Sequence, residues 1–293
     1  MSQTPIRSIA ARVAPVLLLA GLVAGCGDDG DTGAKDNADK TSASASTSTS
    51  ESTSPETDSS EDTSSQSSGT ALTKDNITQP MLAAQKKAGS ARSTQTTEAA
   101  GTKLAYESET RYDGDEVSTH VKTTADSSQQ IELYLVDGIA YVKDAGIGDG
   151  TKWVKVDTKD PANQSGVLAP LALGADPEAA LEAFGNPTAV KLVGPDDVEG
   201  VKTNHYKVTV STANYAKALG LPAAATTALP PEITQDLWLD EDNRQVKTRV
   251  ELAVQGQTSV TEQTFFDYGA DVKITPPADG DTITPKEAQI PGY

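Results

Sequence analysis

The stretch YLVDGIAYVK, from Tyr134 to Lys143, carries the clearest structural signal in the sequence. Two runs of aliphatic and aromatic residues flank Asp137-Gly138, and an Asp-Gly pair between such runs is typical of a tight β-hairpin. A third apolar run, from Trp153 to Val156, follows after a polar loop. The three runs therefore predict neighbouring antiparallel strands.

The same alternation of polar and apolar residues extends in both directions from this hairpin. Residues at every second position share one face of a strand, so the pattern predicts further strands at 104–112, 117–123, 205–210, 233–239, 246–254 and 259–268. Helices are predicted to begin at Thr78, Asp176 and Thr212, with these residues as N-caps. The sum is an α+β domain, an antiparallel sheet with helices on one face.

Composition excludes several classes of function. The 293 residues include 42 Asp and Glu against 24 Lys and Arg, a net charge of −18, whereas nucleic-acid binding needs clustered positive charge. With one Cys there is no intrachain disulfide, CxxC pair or cysteine zinc site. A metal centre based on the two His would need carboxylate ligands as well. We therefore expect no cofactor and no nucleic-acid partner.

Residues 1–25 are predicted to be a lipoprotein signal peptide. Arg7 and Arg12 precede a thirteen-residue apolar run, which is short for a membrane-spanning helix. The run ends in Val23-Ala24-Gly25-Cys26, which resembles the bacterial lipobox, although Leu is commoner at the position of Val23. The resemblance implies lipidation of Cys26 and anchoring on the extracytoplasmic face of the cell membrane. The alternative is a small buried Cys after an ordinary signal.

Residues 26–72 are predicted to form a disordered tether behind the lipidated Cys26. Between Thr41 and Thr70, 20 of 30 residues are Ser or Thr, and no apolar residue recurs at a helical or strand period. Ordering such a segment costs about 1–2 kcal/mol per residue with no burial to offset it. Residues 73–293 carry the apolar patterning and are predicted to be the folded domain. The sequence leaves glycosylation of the tether open.

Several segments resemble the LppX/LprAFG family of actinobacterial lipoproteins. They are the lipobox and tether, KKAGSAR (Lys86–Arg92), YLVDGIAYVK with the following KWVKVD, and the closing run from Leu237 to Pro277. The resemblance implies a LolA-like half-barrel, a strongly curved antiparallel sheet whose concave face is covered by helices. It also implies an apolar cavity for acyl chains and a role in carrying lipids or lipoglycans across the cell envelope.

The segments predicted to cover the sheet are rich in Ala, Gly and Leu, which fill little volume. Either the layers approach closely or a cavity remains between them. As lining residues of a lipid cavity we predict Val167, Leu168, Leu171, Leu181, Phe184, Leu219, Leu221 and Leu229. The alternative for each of them is ordinary core packing.

No catalytic or metal-binding residue is predicted, and the chain is not expected to be an enzyme. Alternation places His120 and His205 on polar strand faces, where we expect them to be solvated. The run from Asp240 to Asn243 lacks the Gly and the distal Glu of an EF-hand loop, so a hairpin turn is expected there instead of a cation site. Asp196-Asp197 is likewise predicted to be a turn.

Two hypotheses of function follow. In the first, a membrane-anchored protein binds a lipid or lipoglycan in a cavity and carries or presents it in the cell envelope, and a lipid transporter of the envelope is a further partner. In the second, an envelope adaptor or sensor without a ligand uses the same fold for protein contact. The first predicts a cavity, whereas the second predicts a filled interior and an exposed apolar patch.

Overall fold

The computed structural model describes residues 71–144, 146–147, 150–163, 166, 168–218, 226–227, 229–254, 256–290 and 293. The predicted signal peptide, Cys26 and the tether up to residue 70 lie outside this part of the chain. Leu72, at the predicted end of the tether, packs against a core cluster of the folded domain.

A single sheet dominates the described part of the chain. Its strands are β1 (Ser90–Ala99), β2 (Thr102–Asp113), β3 (Glu116–Thr123), β4 (Ile131–Val136), β5 (Ile139–Asp144), β6 (Trp153–Asp157), β7 (Ala189–Val198), β8 (Val201–Ser211), β9 (Glu232–Leu239), β10 (Gln245–Val254), β11 (Gln257–Phe266) and β12 (Thr282–Ile283). Their order is β12-β6-β5-β4-β3-β2-β1-β11-β10-β9-β8-β7. All neighbours pair antiparallel except β12 with β6, and the sheet is open, with β12 and β7 at its edges.

The described residues also form short helices, all packed on the same side of the sheet. They are α1 (Thr78–Ala88), α2 (Ala169–Ala175), α3 (Pro177–Ala183) and α4 (Thr212–Ala218). Helix α1 packs on β1 and β2, α2 on β3 and β4, and α4 on β8, while α3 contacts each of the other three. The predicted α+β class, with helices on one face of an antiparallel sheet, is confirmed.

The sheet bends around its helices. Seven inter-strand steps separate β4 from β8, which would place them about 34 Å apart in a flat sheet. Leu133 of β4 and Val208 of β8 nevertheless line one cavity, as does Leu171 of α2. The sheet is therefore an open half-barrel, and its concave face is the one that the helices cover.

Apolar packing is concentrated at the two ends of this concave face. One cluster joins β4–β6 to α2 and to the C-terminal segment, and Val142, Val154 and Leu168 are nearly or fully buried in it. Two further clusters join β8–β10 to α1, α3 and α4, with Ile233 and Leu239 at their centres. We call these the β4–β6 core and the β8–β10 core. Strands β1, β2 and β11 run between them.

The hairpin predicted around Asp137-Gly138 is confirmed as β4 and β5, with both residues of the pair at positive φ. The other predicted strands are present as well, but three strands were not predicted: β1, β7 and the two-residue β12. Asp196-Asp197 was wrongly predicted to be a turn: it lies within β7, and the reversal comes at Glu199-Gly200. Gly200 and Glu199 both have positive φ there.

Two of the three predicted helix caps were wrong. Asp176 does cap α3, since its carboxylate accepts hydrogen bonds from the backbone N–H of Glu178 (2.9 Å) and Ala179 (3.3 Å). Thr78 is the first residue of α1 instead, and no side chain caps this helix. Thr212 is also helical, and its hydroxyl donates to the Pro230 carbonyl. This bond joins α4 to the segment before β9.

Neither His is a freely solvated strand residue, contrary to expectation. His120 stacks on Tyr134 at 4.1 Å between ring centroids and lies 2.9 Å from a Glu132 oxygen. The second His makes the same arrangement on the same face, in the other half of the sheet. There His205 stacks on Trp238 at 4.4 Å and lies 2.6 Å from Asp236.

The carboxylate beside His205 also accepts a hydrogen bond from Lys207 at 2.7 Å. Burial raises the pKa of Asp236, but the hydrogen bonds from Lys207 and His205 outweigh burial, so this pKa lies below its ordinary value. Pairing and stacking thus occupy both imidazoles. The two imidazoles lie on the convex face of the sheet, one on each side of its central strand.

The acidic run after β9 is a hairpin turn. Its carboxylates bind groups of the turn itself. Asp240 is buried and accepts hydrogen bonds from the backbone N–H of Asp242 (3.0 Å) and Arg244 (2.8 Å). It also accepts from Nε of Arg244 at 2.7 Å. Asn243 adopts the left-handed conformation that closes the turn.

We predict that Asp240→Ala lowers the free energy of unfolding by roughly 2–4 kcal/mol, because it removes three hydrogen bonds to a buried carboxylate and leaves the N–H donors unpaired. Urea denaturation followed by circular dichroism measures this change. Glu241→Ala, at the exposed tip of the same turn, is the control and should shift stability by less than about 0.5 kcal/mol. Equal effects of the two substitutions would contradict this account of the turn.

Candidate functional site

A cavity of about 180 Å³ lies between the helices and the centre of the sheet. At about 15 Å³ for each water molecule, it has room for on the order of ten. Its walls come from α1, α2, α3 and α4 above and from strands β1–β4 and β8–β11 below. The cavity therefore occupies the space between the β4–β6 core and the β8–β10 core.

The roof of the cavity is apolar for most of its area. Met81 of α1, Leu171 of α2, and Leu181 and Phe184 at the end of α3 contribute to it, and Ala180 of α3 leaves room below the helix. The N-cap Asp176 fixes the start of α3, and burial raises its pKa even though its hydrogen bonds act in the opposite direction. Small residues in short helices thus leave a space that larger side chains would fill.

An ion pair ties two roof helices together. Nζ of Lys86, near the end of α1, lies 2.9 Å from a carboxylate oxygen of Glu178 in the first turn of α3. The hydrogen bond to Glu178 raises the pKa of Lys86. Both side chains are partly exposed, so the pair contributes little stability, but it sets the spacing of α1 and α3.

The floor of the cavity is polar, whereas only apolar lining residues were predicted from the sequence. Strand register aligns Tyr106 of β2 with Gln95 of β1, Gln95 with Gln263 of β11, and Gln263 with Thr248 of β10. All four residues line the cavity. Side chains of directly paired residues stand about 5 Å apart on the same face, so these four form a continuous row across four strands. We call them the polar row.

Some polar groups of the cavity wall bind one another. The Tyr112 hydroxyl donates to Oε1 of Gln85 at 2.7 Å, and Nε2 of Gln85 donates to Oε1 of Gln245 at 2.9 Å. This chain connects β2 to β10 through α1. Nε2 of Gln263 donates to the Ser93 hydroxyl at 3.0 Å. The Ser93 hydroxyl in turn lies 2.7 Å from the Ser108 hydroxyl.

Other polar groups have no protein partner. The hydroxyls of Tyr106 and Thr119 are buried, and neither makes a hydrogen bond with any described residue. The side-chain amide of Gln95, itself only 8% exposed, also makes none within this part of the chain. Burial raises the pKa of Tyr106, so its phenol stays protonated and is a hydrogen-bond donor. These groups are available to a bound molecule.

Charge is absent from the described cavity wall apart from Arg92. Because successive side chains of a strand lie on alternate faces, the Arg92 side chain is on the opposite face of β1 from Ser93 and Gln95. There the guanidinium binds Glu109 at 3.0 Å and Asp267 at 3.1 Å. The groups that a molecule would meet on the described part of the cavity wall are therefore neutral.

The predicted lining residues fall into three groups. Leu171, Leu181 and Phe184 line the cavity. Leu168 is 1% exposed inside the β4–β6 core, and Leu229 packs against the β8–β10 core. These two residues belong to the ordinary core, which was the alternative to a cavity lining. The remaining predicted positions, Val167, Leu219 and Leu221, lie outside the described residues. Whether any of them contacts lipid stays a prediction.

Two other features are absent from the described residues. Three or more His, Cys, Asp or Glu do not come together anywhere in a group that could hold a metal ion. None of the helices has the length and apolar character needed to cross a membrane.

No model of a known protein family matches the chain. An uncharacterized 31.2 kDa protein from the rplA-rplJ intergenic region of Streptomyces griseus is 31% identical to it over 170 residues, covering 53% of this chain and 54% of that protein. The chain thus spans about half the length of the curated relative that it matches.

Solved structures similar to this chain include two mycobacterial proteins. LprF from Mycobacterium bovis is 16% identical with a TM-score of 0.44, covering 70% of this chain and 97% of that chain. The lipoprotein LppX from Mycobacterium tuberculosis is 14% identical with a TM-score of 0.44, covering 68% and 96%. MucB of Pseudomonas aeruginosa in its complex with MucA is 16% identical with a TM-score of 0.36, covering 67% and 59%.

We predict that Tyr112→Phe lowers the free energy of unfolding by about 1–3 kcal/mol, since it leaves the buried Gln85 oxygen without its donor. Thermal and urea denaturation measure the effect. Tyr206→Phe is the matched control, because the Tyr206 ring is equally buried but its hydroxyl has no hydrogen-bond partner among the described residues. A loss of stability in the control as large as that in Tyr112→Phe would refute the assigned network.

Proposed function

We propose that this chain is a membrane-anchored extracytoplasmic lipoprotein that binds a lipid or lipoglycan in the cavity and carries or presents it in the cell envelope. The observation that carries this proposal is the cavity of about 180 Å³ between an apolar helical roof and an uncharged floor. Cavities that bind small molecules are concave and largely apolar, with a few polar groups that orient the ligand.

Desolvation is the physical basis of the proposed binding. An acyl chain that leaves a bilayer for the space beneath Leu171, Leu181 and Phe184 exchanges one apolar environment for another. The exchange is nearly neutral in free energy, so it is reversible. No catalytic step is part of this proposal, and its residues need only exclude water.

The sequence supplies the rest of the proposal. Lipidation of Cys26 would hold the protein on the membrane, because each buried methylene contributes about 0.8 kcal/mol and two or more chains give stable anchoring. The Ser- and Thr-rich residues 27–72 would then let the domain reach about 35–40 Å from its anchor. A lipid transporter of the envelope is the proposed source or recipient of the ligand.

We expect native mass spectrometry of the full chain, purified from a bacterial host that processes lipoproteins, to show lipid bound to the domain. Ala180→Phe should lower the bound fraction roughly tenfold, since overpacking a filled space costs about 1–3 kcal/mol. Ala179→Phe is the control, because Ala179 precedes it in α3 but does not line the cavity. Absence of lipid from the unmodified protein in repeated preparations would disprove the proposal.

The anchor is tested separately. Cys26→Ala should move the protein from the membrane fraction to the soluble fraction and abolish incorporation of labelled palmitate, because the thiol is the site of acylation. Val23→Leu gives the commoner lipobox residue and should leave the protein membrane-bound. A Cys26→Ala protein that stays with the membrane would show that the lipobox interpretation is wrong.

One observation favours the adaptor hypothesis as a second candidate. Leu192 and Val193 on the edge strand β7 are about half exposed, and Val201 on β8 is 42% exposed. An edge strand with exposed apolar side chains is suited to contact with another protein. Binding of partner proteins through this edge should be unchanged in Ala180→Phe and lost in Leu192→Lys. The reverse result would exclude an adaptor that acts without a ligand.

A further inference from the structure

The polar row lies in the middle of the cavity with apolar side chains on both sides of it. Val121 and Leu133 line the cavity toward the β4–β6 core, and Leu237 and Val250 line it toward the β8–β10 core. Hydrocarbon can therefore extend from the row in either direction. A purely hydrocarbon ligand would cover the row without binding its polar groups, which costs free energy for each buried group left unpaired.

The unpaired groups of the wall define what can bind there. Tyr106 and Thr119 offer hydroxyl donors, and the Gln95 amide offers two N–H donors. An anion would gain no cationic partner, because the Arg92 guanidinium is bound to Glu109 and Asp267 on the other face. Burying an unpaired charge is far more costly than burying a neutral acceptor. The chemistry that fits is an uncharged group with acceptor oxygens.

We propose that the polar row binds the ester linkages of an uncharged acyl lipid, with its hydrocarbon extending on both sides. This inference rests on the proposed function and specifies the class of ligand. The ester carbonyls accept hydrogen bonds from Tyr106 and Gln95. The row thereby selects acyl esters over hydrocarbons and ether lipids, and the lack of a free cation disfavours lipids whose charged group would enter the cavity.

The test is an internal competition between two lipids of different mass. Full-length protein, freed of bound lipid, is mixed with micelles that contain equal amounts of 1,2-dioleoylglycerol and its dioleyl diether analogue. Native mass spectrometry then gives the ratio of the two complexes. Because a neutral hydrogen bond is worth about threefold to tenfold in affinity, we expect the diester to exceed the diether by about tenfold.

The double variant Tyr106→Phe/Gln95→Leu should bring this ratio close to one. Neither side chain has a hydrogen bond to lose among the described residues, so the variant should fold as stably as the unmodified chain, as thermal denaturation will show. Tyr206→Phe, at a residue that does not line the cavity, should keep the ratio of the unmodified protein.

A ratio near one in the unmodified protein, or an unchanged ratio in the double variant, overturns the inference. If lipid from the host still co-purifies with the protein in those cases, the proposed function stands and only the ester preference fails. If neither probe binds and no host lipid is found, both the inference and the proposed function fail.

Discussion

When one face of a sheet is buried, the side chains of its central strand on that face are buried too. In this protein the central strand is β1, and its buried side chains are polar. Strand β1 directs Ser93, Gln95 and Thr97 toward the helices, and all three side chains are buried. Apolar side chains from the helices cannot satisfy hydroxyl and amide groups, so close packing over β1 would be unfavourable. A cavity therefore remains between the helices and the Ser93 and Gln95 side chains, and the remaining arrangement follows.

Since the centre cannot form a dry core, apolar packing divides between the two ends of the sheet. The β4–β6 core closes under α2 and the C-terminal segment, and the β8–β10 core closes under α1, α3 and α4. The bend of the half-barrel brings both ends to one set of helices. Between them stays a cavity whose polar groups partly pair with one another, as in the chain from Tyr112 through Gln85 to Gln245.

Much of the fold could be predicted because most strands alternate polar and apolar residues. The Asp137-Gly138 pair predicted the β4–β5 hairpin, and Asp176-Pro177 predicted the start of α3. Strand β1 could not be found in this way, because SARSTQTTEA is polar at nearly every position and shows no hydrophobic period. Strand β7 was missed for the related reason that, at the edge of the sheet, it exposes apolar and polar residues alike.

The site was predicted less well than the fold. Leucines at helical spacing pointed to the roof, and Leu171, Leu181 and Phe184 do lie there, but the same signal cannot separate a cavity wall from a core such as that around Leu168. The floor depends on which residues pair across strands, and this register is a long-range property. The pairing of Gln95 with Gln263 joins positions that are 168 residues apart (263 − 95). Its one local sign was the run of Tyr106, Ser108 and Thr110 on a single face.

The division into two cores has a mechanical consequence for the half-barrel. Backbone hydrogen bonds and a few side-chain contacts hold β2, β1 and β11 together, whereas interlocked apolar side chains stiffen each end. We therefore expect the middle of the sheet to be its more compliant part, where a change of curvature would widen or narrow the cavity while both cores stay intact. For the proposed function, this would let lipids of different width bind by a change of curvature, without the repacking that a fully filled interior would demand.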